Sequence, residues 1–423
     1  MGMTGELHSV IRGNRVVTGG EIRPAAIHIE AGVITAVTPL RDEKDDEHHE
    51  PAYDGIILPG LVDTHVHINE PGRTHWEGFE TATRAAAAGG VTTLIEMPLN
   101  SIPATTNLAA YREKVAAAGG KLRVDTGFWG GVVPGNASDL EPMWRAGVFG
   151  FKCFLVPSGV AEFEHVSESD LRQAMPILAR LGAPLLVHAE SPRMLPARPP
   201  ESECEAIAMM IRLAQDTGAR VHIVHLGAIE ALTLIEQAHA AGIPISVETC
   251  PHYVAFEPGE IPVGASEFKC APPIRGRLRP ALSRIGMVVS DHSPSPPELK
   301  RGDYDQAWGG IASLELGLSV MATIHDSFVD LAQWMCEAPA RLAGLANKGH
   351  IAPGYDADLV LFDPDRRWTV HPEALHQRNK ITPYAGREMR GRVRTTYLRG
   401  EKIYDHGNFG NFATPATGRV LKR

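Results

Sequence analysis

Eight short apolar or β-branched runs recur through the middle of the chain, and amphipathic, alanine-rich segments separate most of them. The runs are ILPGLVDTHVH, GVTTLIEMP, RVDTGFWGGVV, GFKCFLV, APLLVHAE, RVHIVHLG, PISVETCP and GMVVSDHSP. Between them stand FETATRAAAAGG, LAAYREKVAAAGG, ESDLRQAMPILARLG, CEAIAMMIRLAQDTG and AIEALTLIEQAHAAG, each ending at a glycine as helix C-termini commonly do. Strands that alternate with helices call for a parallel sheet, and eight of them predict a (β/α)8 TIM barrel. The pattern is thinnest between PISVETCP and GMVVSDHSP, where only LRPALSRIG has helical texture.

The two ends differ from this middle. SVIRGNRVV, AAIHIEAGVITAV and YDGIILPG at the start, and GHIAPGYDADLVLFD and RVRTTYLRGEKIYD near the end, read as strands broken by turns. Neither end alone offers much core, so residues 1–57 and 349–423 are expected to fold together as one small β-sandwich-like domain beside a barrel at 58–348. The charged run RDEKDDEHHE at 41–50 is expected to be a solvated loop or hairpin.

Composition closes off several functions. A net charge of -9 repels phosphate backbones and anionic membranes, so neither is an expected partner. No apolar run approaches the roughly 18 residues of a spanning helix, and MGMTGELHSVIRGN lacks a signal-peptide core, so a cytoplasmic location is expected. Five cysteines outside CxxC spacing argue against a disulfide framework or a thiolate metal site, and are read as small buried hydrophobes. The 19 histidines are more telling.

In such barrels chemistry sits where the strands end at their C-termini. The first run ends in Asp63-Thr64-His65-Val66-His67, and strand alternation puts His65 and His67 on one side, about 7 Å apart along the chain. Later runs place Lys152, His188, His225 and Asp291 at the same end. Singly, a histidine is more often a hydrogen-bonded core residue, a lysine an ion pair and an aspartate a helix cap. Six together at one barrel end point to a metal centre.

Four imidazoles and a carboxylate suit Zn²⁺, with Fe²⁺, Co²⁺ or Mn²⁺ as substitutes. Four histidines exceed what one open catalytic site needs, so two metals are expected, and they need a bridge. Lys152, desolvated beside cations, becomes a free amine able to capture CO2, and its carbamate has two oxygens to span both ions. Such a pair lowers the pKa of a bridging water toward neutrality. Asp291 is then placed to accept the hydroxide's proton and return it to a leaving amide nitrogen. By alternation His222, three before His225, is expected to face the helices, and His292 to point away from the bridge.

The strings D-T-H-V-H-I-N-E-P-G, F-K-C-F-L, V-H-A-E, I-V-H-L, E-T-C-P-H-Y and S-D-H-S-P together resemble the amidohydrolase superfamily across the whole barrel. Within it the chain is most similar to the cyclic-amide hydrolases, the dihydroorotases, hydantoinases (dihydropyrimidinases) and allantoinases. NEPGRTHWEGFETATRAAAAGGVTTLIEMPLNSIPATT, FKCFLVPSGV, ETCPHY and DYDQAWGGI most resemble bacterial allantoinases. The resemblance implies two Zn²⁺ per chain, one on His65, His67, carboxylated Lys152 and Asp291, the other on Lys152, His188 and His225. It further implies a homotetramer, a small-molecule substrate, hydrolysis of allantoin in purine catabolism, and substrate contacts at Asn69, Ser158, His252 and Gly310. Dihydroorotases carry an arginine where Asn69 stands, to pair with the substrate carboxylate; an amide that donates and accepts suits a neutral ring better. The stretches from His188 to CEAIAMM and from PPIRGR to GMVVSDHSP are shorter than in these relatives.

Overall fold

The computed structural model describes residues 8–40, 51–276, 278–408 and 411–423. The charged run at 41–50 lies outside the described residues. Both ends of the chain build one eight-stranded sheet: β1 (His8–Thr18), β2 (Glu21–Glu30), β3 (Val33–Pro39) and β4 (Tyr53–Pro59) from the first, and β13 (Leu359–Thr369), β14 (Glu388–Leu398), β15 (Glu401–Asp405) and β16 (Asn411–Phe412) from the second. The seam between them is β4 against β13, antiparallel, with Leu58 opposite Val360 and Ile57 opposite Leu361. Alternation gives this sheet two apolar faces. Val16, Ile27, Ile57 and Leu359 pack into one core, while Ile56, Leu58, Val360 and Phe362 join the core shared with the barrel.

The barrel strands are β5 (Leu61–Val66), β6 (Val91–Glu96), β7 (Asp125–Phe128) with its short continuation β8 (Gly130–Gly131), β9 (Phe151–Phe154), β10 (Leu185–His188), β11 (Val221–Ile223) and β12 (Ile245–Val247). All pair in parallel, β5 to β7 in one set and β8 to β12 in another. The eighth run closes the ring without forming a regular strand: Val288 bridges Thr249, and His292 bridges Val66 and Ile311. The connections are α1 (Phe79–Ala88), α2 (Leu108–Ala118), α3 (Ala137–Ala146), α4 (Glu168–Leu181), α5 (Pro200–Thr217) and α6 (Leu232–Ala240), followed by the short α7 (Pro251–Ala255) and α8 (Leu282–Ile285). The fold is therefore a (β/α)8 barrel with a β domain drawn from both termini. Helix α3, with Pro142 inside it, lies outside the alanine-rich segments that the sequence offers as helices. Helices α4 and α5 stop at Gly182 and Gly218, whose φ of 69° and 71° favour glycine. Among the described residues no helix is long and apolar enough to cross a membrane.

At the barrel's N-terminal end Lys348 is buried among Asp125, Asp356 and Asp358, with Nζ to oxygen distances of 2.8, 2.9 and 2.8 Å. Arg399 also binds Asp125, and the Arg419 amide donates to it at 3.0 Å. Three chain segments meet at this cluster, which holds Lys348 charged, its pKa pushed upward by the surrounding carboxylates against the pull of burial.

Candidate metal centre

The opposite end of the barrel gathers the residues singled out from the sequence. His65 and His67 leave the end of β5 on the same side, and both Nε2 atoms face Asp291 Oδ1, at 3.2 and 3.5 Å. Across the mouth, His188 Nδ1 and His225 Nε2 face each other at 3.0 Å. The rings of His65 and His225 lie 5.3 Å apart, so the two histidine pairs are neighbours. Lys152 completes the set from β9, fully buried, its Nζ 4.9 Å from the Phe154 ring centroid and without a hydrogen-bond partner. Phe154 in turn stacks on His188 at 4.7 Å.

Burial drives the electrostatics. It lowers the pKa of all four imidazoles, leaving them neutral, the form in which a ring nitrogen can hold a metal. Burial also lowers Lys152 to about 8, which enlarges its free-amine fraction at neutral pH. A buried amine with no partner and a buried His225 Nδ1 with none are costly to leave unmatched. The donor atoms of His65, His67 and Asp291 lie close enough together to hold a borderline divalent cation, and the orphaned atoms beside them leave room for a ligand.

Three carboxylates that sequence reasoning missed orient these side chains. Glu248, after β12, reaches His65 Nδ1 at 2.6 Å and His222 Nε2 at 2.9 Å. Glu190 takes His188 Nε2 at 2.7 Å and is itself bound by Arg198. Each carboxylate accepts a ring N–H and so leaves the other nitrogen's lone pair facing inward. Asp63 accepts the amides of His65 and Ser290, both at 3.1 Å, stitching the first barrel strand to the eighth run. The signals lay in ETCPHY, VHAE and VDTHVH, where acidic residues flank the ligands.

His222 departs from expectation. It shares Glu248 with His65, inside the barrel, and does not face the helices. His225 has a φ of 39°, which breaks the alternation that the expectation assumed. His292 behaves as expected, its Nδ1 accepting the amides of Ser313 and Leu314 at 3.1 and 3.3 Å.

The four residues assigned to substrate differ in what they offer. Asn69 is buried at φ 66°, with Nδ2 3.4 Å from the Pro294 carbonyl and Oδ1 unpartnered. Glu96 at the end of β6 and Lys114 of α2 form a fully buried ion pair at 2.7 Å. His252 is buried with both ring nitrogens free, and burial lowers it to about 4. Ser158 instead donates its hydroxyl to the Phe163 carbonyl at 2.5 Å, so only its backbone remains available. Gly310 donates to Lys269 O at 2.8 Å and accepts from Lys300 Nζ at 2.6 Å; a Cβ there would lie 2.5 Å from Ser293 O. Its contribution is a close backbone approach. Over the mouth, Arg73 pairs with Glu162, and Trp76 meets Trp308 edge to face at 4.9 Å, linking the loops after β5, β9 and the eighth run.

Comparison with known proteins matches residues 56–403 to the amidohydrolase family. The chain is 47% identical to an allantoinase of Streptomyces avermitilis, covering 99% of each chain. It is 43% identical to an allantoinase of Saccharomyces cerevisiae, covering 98% of each. Among solved structures it superposes on the L-hydantoinase (dihydropyrimidinase) of Arthrobacter aurescens with a TM-score of 0.91 at 29% identity, covering 98% of this chain and 99% of the other. The Streptomyces alignment spans 445 positions, more than the chain's 423 residues, so this chain skips positions that the relative fills.

Proposed function

The chain belongs to the amidohydrolase family, and from that premise we propose that it opens the ring of allantoin by hydrolysing a cyclic amide bond, giving allantoate. The observation that carries this reading is end-to-end similarity to curated allantoinases of bacteria and yeast. The site supports it: Asn69 presents a buried, unpartnered amide oxygen where a carboxylate-bearing substrate would call for a guanidinium.

In this proposal His65, His67, Lys152 and Asp291 hold one Zn²⁺ and Lys152, His188 and His225 a second, with Fe²⁺, Co²⁺ or Mn²⁺ able to substitute. Bound there, divalent cations supply Lewis acidity that activates water and polarises the scissile carbonyl. The chain's own residues do the rest. The Lys152 amine adds CO2, releasing one proton, to become a carbamate whose two oxygens replace its missing partners. Glu248 and Glu190 keep His65 and His188 in the tautomer that points a lone pair inward. Asp291 takes a proton from the attacking water and delivers it to the leaving amide nitrogen. Asn69, His252 and the backbones of Ser158 and Gly310 bind the neutral ring. Assembly as a homo-oligomer, a tetramer by family resemblance, a cytoplasmic location, and the division into 58–348 and the paired ends 1–57 and 349–423 belong to the same proposal.

Initial rates of ring opening on allantoin, hydantoin, dihydrouracil and dihydroorotate test it. Allantoin is expected to be turned over fastest by about 10⁴-fold, the scale set when a site is built to pair a substrate polar group. Faster turnover of hydantoin or dihydrouracil would move the chain to the hydantoinase branch.

A further inference from the structure

Beside the centre lies a second group of ligand-type atoms. Cys250, His252 and Asp291 bring a thiol sulfur, an imidazole nitrogen and a carboxylate oxygen within 4.8 Å of one another, and all three residues are buried. Among the described residues only one other such group was found, His65, His67 and Asp291. Asp291 therefore stands between two donor sets. One is nitrogen and oxygen only; the other carries sulfur.

Cys250 sits where β12 passes into α7, its extended backbone followed by Pro251 and His252 in the first turn of that helix. This places thiol and imidazole together facing Asp291. His252 is 0% exposed, with neither ring nitrogen hydrogen-bonded. It is thus already desolvated and unopposed, so no bond need be broken for it to take a cation. Sulfur, imidazole and carboxylate together favour Zn²⁺, Cd²⁺ or Hg²⁺ over Mg²⁺ or Ca²⁺.

We propose that Cys250, His252 and Asp291 form a separate capture position for a soft or borderline divalent cation, whose occupancy inhibits the enzyme by drawing Asp291 away from His65 and His67. Formation of the metal–sulfur bond releases the thiol proton to solvent. A cation there also occupies His252, so substrate binding and proton transfer are blocked together. The inference goes beyond the proposed hydrolysis and shares with it only these two side chains.

Cadmium is titrated into enzyme carrying its resident metals, while bound cadmium, sulfur-to-metal charge-transfer absorbance and the residual ring-opening rate are followed together. One cadmium beyond the resident count is expected, with absorbance rising in step and the rate falling about a hundredfold, as for loss of a general base. Cys250→Ser is expected to keep its resident metals and its rate, to show no absorbance, and to need at least about tenfold more cadmium for the same inhibition. Cys270→Ser should behave as the parent does. The proposal is overturned if cadmium binds without the absorbance, if Cys250→Ser is inhibited as readily as the parent, or if no extra cadmium binds. A resident count of zero before titration would fail the functional proposal instead, and the Cys250 dependence of cadmium uptake remains readable in that protein.

Discussion

Lys152 and Lys348 are both buried lysines of one barrel, yet their surroundings push them in opposite directions. Lys348, at the N-terminal end, has three carboxylates within 2.9 Å, and they hold it charged. Lys152, at the C-terminal end, has no hydrogen-bond partner, and burial draws it down to about 8. The neighbours follow suit. Asp125 is met by Lys348, Arg399 and the Arg419 amide, whereas His225 Nδ1, both nitrogens of His252 and Asn69 Oδ1 are left open. Burial alone thus does not mark a site. The end whose polar groups are matched fixes the fold, and the end whose groups are left open is shaped for something that binds there.

The sharpest way to break this contrast is to exchange the lysines' expected consequences. Lys152→Ala should lower the ring-opening rate by about 10³-fold or more, the several kcal/mol that metal activation supplies, and release bound metal, while the melting temperature compared between metal-free parent and metal-free variant stays unchanged or rises. Short-chain carboxylic acids should restore part of both. Full activity in this variant would remove the carbamate from the mechanism.

Lys348→Met should do the reverse, costing about 3 to 5 kcal/mol of stability by abandoning buried carboxylates, with kcat per folded molecule unchanged. Because the folded pKa of Lys348 is raised above its unfolded value, its stabilisation is fully present below the ordinary lysine value near 10.5 and is lost only as pH rises through the folded value. The parent should therefore keep this contribution from pH 5 to pH 9. In the variant Asp358, whose carboxyl burial already pushes upward, loses the ammonium that opposed that shift, so stability should fall as pH rises above the ordinary carboxylate range, read by denaturant melts at each pH.

A smaller effect separates ligands from the groups that orient them. Glu248→Gln leaves every proposed ligand in place but replaces the acceptor for the His65 ring N–H, and should weaken metal affinity and activity about 10- to 100-fold, measured against a chelator. An unchanged affinity would make Glu248 a packing residue. The least effect is expected at the mouth. Arg73→Ala removes a partly exposed bond to Glu162, worth no more than about 1 kcal/mol, so KM should rise about fivefold at most with kcat steady.

Much of this site could be read from the sequence, because strand period and barrel end are local properties of the chain. His65 and His67 needed only alternation, and Lys152, His188, His225 and Asp291 only their position at run ends. The carboxylates were harder: Glu248 meets His65 across 183 residues, and no spacing rule connects them. His222 was misplaced because one positive φ at His225 shifts everything before it to the other face. The same limit hid the weakness of the eighth strand, where GMVVSDHSP has strand composition but is held only by isolated bridges. The cysteines carry no spacing signal, yet Cys250 stands beside His252, whose ring nitrogens are both unpartnered.

The most direct test of the unmatched end is anomalous scattering from crystals grown with Zn²⁺ and bicarbonate. Two peaks should flank a carboxylated Lys152, one among His65, His67 and Asp291 and one between His188 and His225. A bare Lys152 amine, or zinc absent from between these histidines, would contradict the account.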